Sequence, residues 1–142
     1  MNDLKTGDLI LFSGHEEGYL KYFSYLIKYG THSNYSHVGM ILKDPTFIDP
    51  SLKGTFVWES GWEGEKDPQD GKIKLGVQIT PLHEMIQNFK GSKVLIRKIK
   101  CDSSHFTDSQ LKKVHETVYK KPYDIVPKDW ISAFFRKDKD PQ

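Results

Sequence analysis

The chain has 142 residues and a formal net charge of +2, with 37% hydrophobic and 13% aromatic residues. That balance supports a packed core and excludes a disordered chain, while lysines scattered among acids leave no basic stripe for nucleic acid. One cysteine excludes an internal disulfide framework and fits a reducing, cytoplasmic setting.

The N-terminus, Met1 to Asp8, has no apolar signal core, and no window approaches the ~18 apolar residues of a membrane span. Thr6-Gly7-Asp8 reads as a turn feeding a first strand, Leu9 to Ser13. Gly18 to Tyr29 reads as a helix, because Tyr19, Tyr22, Phe23, Leu26 and Ile27 fall largely at spacings of three and four, and Gly30 supplies a stop. Its many tyrosines suit core packing or an amphipathic lid. His37 to Leu42 and Thr55 to Ser60 are the next two strands, joined by the Asp49 to Gly54 turn. Gly61 to Lys72 is a polar loop in which Trp62 is a candidate rim to a site.

Gly76 to Thr80 reads as a fourth strand. Thr80 and Pro81 have the pattern of an N-cap and first helical position, opening a short helix to Lys90. Lys93 to Ile99 is a fifth strand. Thr107 and Gln110 form a capping box for a helix with Leu111, Val114 and Val118 on one face, ending near Pro122. A last short helix runs from about Pro127 to Phe135. Residues 1–135 are thus expected to form one domain, and 136–142 a charged tail at a truncation point.

His37 is the most informative residue. It stands at the head of an apolar strand, where an imidazole titrating near neutral pH would be half exposed and firmly held, as a general base needs to be. Glu59 closes the next strand. A histidine and a carboxylate on neighbouring strands are two parts of a nucleophile–base–orienter triad. The bland alternatives are a strand-edge histidine bonding a carbonyl and a solvated carboxylate. Tyr35, Ser36, Trp58 and Trp62 are candidate site-lining residues. Cys101 is the one thiol available as nucleophile, but it follows a strand with the next helix start six residues away, so no helix N-terminus adjoins it to activate the thiol. The other histidines form no metal-binding spacing; His83-Glu84 lacks a second histidine.

Lys5-Thr6-Gly7-Asp8-Leu9-Ile10-Leu11-Phe12, Tyr35-Ser36-His37-Val38-Gly39, Trp58-Glu59-Ser60, Gly76-Val77 leading to Thr80-Pro81-Leu82, and Lys121-Pro122-Tyr123-Asp124 occur in that order. Together they resemble the circularly permuted branch of the NlpC-type, papain-like cysteine hydrolases, which includes YiiX-like proteins and relatives in large DNA viruses. The resemblance covers most of the chain.

It implies His37 as base, Glu59 as orienter, and a cysteine nucleophile at a helix start after the Pro-Tyr-Asp segment. No such motif is present in this sequence. The expected fold is α+β: an antiparallel, barrel-like sheet of about five strands, permuted papain-like, with helices packed against one side. The expected activity is amide or ester hydrolysis or acyl transfer through a thiol acyl-enzyme. The substrate would be a peptide, an isopeptide or a lipid, with no cofactor or metal. A non-catalytic lipid- or peptide-binding module using the same groove is the alternative. Without the nucleophile-bearing helix, the chain is expected to be inactive alone and to expose an apolar face suited to self-association or an apolar ligand.

Overall fold

A computed structural model describes residues 3–13, 28–29, 32–61, 66–72 and 76–119. The predicted helices over 18–29 and 127–135, the Pro-Tyr-Asp turn, the tail and Trp62 lie outside the described residues, apart from Lys28 and Tyr29, which are helical.

Five strands, β1 (Leu9–Phe12), β2 (His37–Lys43), β3 (Thr55–Gly61), β4 (Gly76–Pro81) and β5 (Val94–Arg97), form one sheet in the order β4-β3-β2-β1-β5. Every neighbouring pair is antiparallel. The fold class is therefore α+β with a five-stranded antiparallel sheet. The sheet is open, not barrel-like: β4 and β5 are its two edges and do not pair with each other.

Two helices belong to the described residues, α1 (Leu82–Asn88) and α2 (Asp108–Val118). They lie on opposite faces, not on one side as expected. Leu82, Met85 and Phe89, from α1 and its C-cap, pack with Ile10, Phe12, Ile41 and Val57. Leu111 of α2 packs with Leu42, Phe56 and Ile79. Strand alternation explains the split. Ile41 and Leu42 are consecutive, point to opposite faces, and are both buried, so the central strand reads as a continuous apolar run. At seven residues and with no side-chain cap, α1 is far below the ~12–15 residues that an isolated helix needs. Burial holds it in place, since a buried Leu, Met or Phe side chain each contributes about 1.5–3 kcal/mol.

The Thr6-Gly7-Asp8 turn knots three strands together. Gly7 adopts φ +97° beneath the Phe106 ring, where a Cβ would come within 2.9 Å of that ring. Its N–H donates to Ile41 O, and Ile41 N–H donates to Asp8 O. The Asp8 carboxylate, with a fully buried side chain, accepts from the N–H groups of Lys5 (3.0 Å) and Ile99 (3.0 Å) and from Lys98 Nζ (3.1 Å). The turn thus fixes β1 against β2 and against the segment after β5.

The Thr107–Gln110 capping box forms as expected. The expected stripe Leu111, Val114 and Val118 divides instead. Leu111 and His115, one turn apart, are buried, while Val114 is 48% exposed. The His115 ring lies 5.6 Å from Trp58, and its Nε2 bonds Gln69 Oε1 at 2.8 Å. At the helix end Tyr119 donates to Asp70 Oδ2 at 2.6 Å. Burial, that bond and the charges of Asp70 and Asp67 push the phenol well above its ordinary pKa. Asp67 is buried and accepts from the N–H of Ile79 at 3.3 Å. The 66–72 loop is thereby tied both to β4 and to α2.

Candidate functional site

The α1 face of the sheet carries His37, Gly39 and Ile41 from β2, and Val57 and Glu59 from β3. One step beyond the Met40–Trp58 pair places Glu59 beside Gly39, so His37 is its diagonal neighbour. Diagonal pairs lie about 7–8 Å apart at Cα, within reach only of long side chains. Gly39 supplies the room. A Cβ there would fall 2.2 Å from Val57 Cγ1 and 3.6 Å from Glu59 Cβ. The His-x-Gly spacing therefore has a packing reason: the glycine lets the β3 side chains lean toward His37.

His37 Nε2 bonds Glu59 Oε2. Glu59 Oε1 accepts from Thr80 Oγ1 at 2.7 Å, so both carboxylate oxygens are engaged. The Glu59 side chain is wholly buried, whereas that of His37 is 15% exposed. A buried carboxylate is costly unless it is paired and hydrogen-bonded, and these two donors meet that requirement. The imidazole is held on its flat sides too. It stacks on Phe89, with ring centroids 5.4 Å apart and planes at 15°, and lies 6.2 Å from Phe12, its partner across the β1–β2 ladder. With Nε2–H donated to a carboxylate, the neutral ring keeps its lone pair on Nδ1.

Thr80 departs from its expected helix-capping role. The strand β4 runs through it to Pro81, and Pro81 is the N-cap of α1, with no side-chain capping bond. Its hydroxyl, expected to cap the helix, instead braces Glu59. Gln78, which no sequence pattern marks as a site residue, pairs directly with Glu59 in the ladder and is 2% exposed, and its Nε2 has no hydrogen-bond partner among the described residues. The signal for both residues was their even spacing along β4, which puts them on one face.

The other candidates fall elsewhere. Trp58 does not line the site. As the neighbour of Glu59 in β3 it points to the α2 face, where it packs near Met40 and His115. Tyr35 and Ser36 form the lead-in to β2. Tyr35 N–H donates to Ser33 Oγ and Ser36 N–H to Phe12 O, while Ser36 Oγ is buried without a partner among the described residues. Cys101 follows β5 beyond Arg97, which pairs with Leu9, whereas His37 pairs with Phe12 at the other end of β1. Three residues of strand alone separate these ends by ~10 Å. Among the described residues no three His, Cys, Asp or Glu side chains gather to hold a metal ion.

No protein-family model matches this chain, and no curated protein matches it.

Proposed function

We propose that His37 and Glu59, braced by Thr80, are the base and orienter of a cysteine-hydrolase-type site of the permuted NlpC kind. The observation that supports this reading is the buried Thr80–Glu59–His37 relay, which leaves the imidazole lone pair on the nitrogen away from Glu59. In this reading His37 Nδ1 takes the proton of an attacking thiol, and the Glu59 carboxylate stabilises the imidazolium formed. The thiolate adds to an amide or ester carbonyl, His37 returns the proton to the leaving amine or alcohol, and water then cleaves the acyl-thiol with His37 again as base. Peptide, isopeptide and lipid ester substrates all satisfy this chemistry. No helix among the described residues is long and apolar enough to cross a membrane, and a cytoplasmic setting is part of the same proposal.

Cys101 is the only thiol in the sequence and lies at the far end of β1 from His37. In this reading Cys101 is not the nucleophile, and residues 1–142 by themselves carry no thiol-dependent turnover. The same observation favours a second reading, a non-catalytic module that binds a lipid or peptide in the groove beside His37.

Alkylation of the natural gene product with iodoacetamide near neutral pH separates the two. The hydrolase reading expects a fast-reacting thiol whose labelling falls by about 10²-fold or more in His37→Asn, with slow Cys101 labelling unchanged as the folding control. Labelling confined to Cys101 and indifferent to His37 would leave the binding module standing. Rapid, His37-dependent labelling of Cys101 itself would overturn both its exclusion and the role of an outside thiol.

A further inference from the structure

On the α2 face, opposite His37, two adjoining cavities of about 340 and 390 Å³ share Leu9 and Met40 as walls. Both are open to solvent, and together they form a shallow trough across the sheet face. One end is hydrocarbon, formed by Val38, Val77, Val114 and Val118 over Trp58. Val38 and Val114 are 52% and 48% exposed, because α2 docks through Leu111 and His115 and leaves its other stripe open. The other end is cationic, with Arg97, Lys98 and Lys100 beside Phe106. Lys98 is engaged by Asp3 and Asp8, but Arg97 and Lys100 have no acidic partner among the described residues. Among the described residues the only acid in either wall is Glu59, and its carboxylate is used on the opposite face.

We propose that this trough binds a single-chain anionic amphiphile, a long-chain fatty carboxylate, with its acid head at Arg97 and Lys100 and its alkyl tail running over Leu9 and Met40 toward Val114 and Val118. The site lies away from His37 and does not depend on the hydrolase reading. Its chemistry selects the ligand. The trough floor is made by strands β1, β2 and β3, interior to the sheet, whose backbone groups are already paired in ladders. An extended peptide could join a strand edge only at β5, beside the cationic end, or at β4, and not along the floor between them, whereas an alkyl chain needs no strand partner. A second copy of this chain seated in an isologous contact would bring two sets of the same unpaired cations into one interface. A carboxylate head neutralises them.

The test is calorimetric titration of the full chain with sodium dodecanoate below its micellar concentration, beside dodecyltrimethylammonium and acetate. Dodecanoate is expected to bind, the cation of equal chain length at least about tenfold more weakly, and acetate not measurably. Arg97→Gln with Lys100→Gln should weaken dodecanoate about tenfold and leave the cation unaffected. Val114→Glu, at an exposed position that the fold does not need, should abolish dodecanoate binding. Equal binding of the two amphiphiles, indifference to Val114→Glu, or no binding would overturn the proposal. So would binding only to anionic phospholipid vesicles, which marks a membrane-contact face, or a dimer by sedimentation that excludes dodecanoate. Selective binding of an acidic peptide would overturn it as well.

Discussion

Glu59→Ala is expected to be the most damaging single substitution at the site, lowering stability by about 3 kcal/mol and, on the proposed hydrolase reading, removing nearly all His37-dependent chemistry. The change takes away the acceptor of Thr80 Oγ1 and the partner of His37 Nε2 at once, at a position whose side chain is wholly buried. A buried donor left unsatisfied costs about 1–3 kcal/mol, and two are created here. For a domain of this length the loss corresponds to roughly 10 °C in melting temperature. On the proposed hydrolase reading, His37-dependent thiol labelling should fall by about 10²–10⁴-fold, since the ring loses its fixed tautomer and the charge that stabilises the imidazolium. Glu59→Gln keeps the volume and one acceptor oxygen, so it should cost less stability while still losing most of the reactivity. Thermal unfolding and labelling rates of the two variants together separate the structural part from the chemical one. Equal melting temperatures for Glu59→Ala and the natural sequence would show that the relay does not hold the sheet.

Asp8→Ala is expected to cost about as much stability, again about 3 kcal/mol, with no effect on His37. Three donors, from Lys5, Ile99 and Lys98, converge on this buried carboxylate at 3.0 to 3.1 Å. Burial by itself pushes the carboxyl up, but the two backbone N–H groups and the Lys98 ammonium outweigh it and hold Asp8 below the ordinary 3.8. The sign for stability follows from that depression. The folded chain prefers the ionised form more strongly than the unfolded chain does. The contribution is therefore complete above the unfolded pKa of about 3.9 and is lost as pH falls through the lower folded value. Urea unfolding followed from pH 7 down to pH 3 should show the natural chain losing stability in the acid limb, and Asp8→Asn losing distinctly less. Parallel curves for the two would contradict this role for Asp8.

The strands were legible in the sequence because apolar alternation and bounding turns act locally. β2 and β3 begin at His37 and Thr55, where the pattern places them, and the alternation within them puts His37 and Glu59 on one face. The same alternation, applied strictly, excludes Trp58 from that face; adjacency in the sequence to Glu59 is what misled. Thr80 was misread for a competing reason. Thr-Pro before an apolar run is the pattern of a helix start, but the hydroxyl of Thr80 has a stronger acceptor in Glu59 across the sheet, and Pro81 needs no donor of its own to begin α1. The barrel-like closure came from the resemblance and not from any residue pattern, and the strand order leaves two edges. The division of α2 into a docked Leu111–His115 stripe and an open Val114–Val118 stripe depends on where the 66–72 loop meets His115 and Tyr119. That is a tertiary contact which helical periodicity cannot contain.

The central claim is that Glu59 fixes His37 as a base with its lone pair on Nδ1. Long-range proton–nitrogen correlation spectra of the imidazole report this directly, recorded above the pH at which the ring takes up its second proton. The account predicts a single neutral tautomer protonated on Nε2, with a strongly deshielded Nε2 proton, and collapse to a mixture of tautomers in Glu59→Ala. A ring protonated on Nδ1, or tautomer populations unchanged by the loss of Glu59, would contradict it.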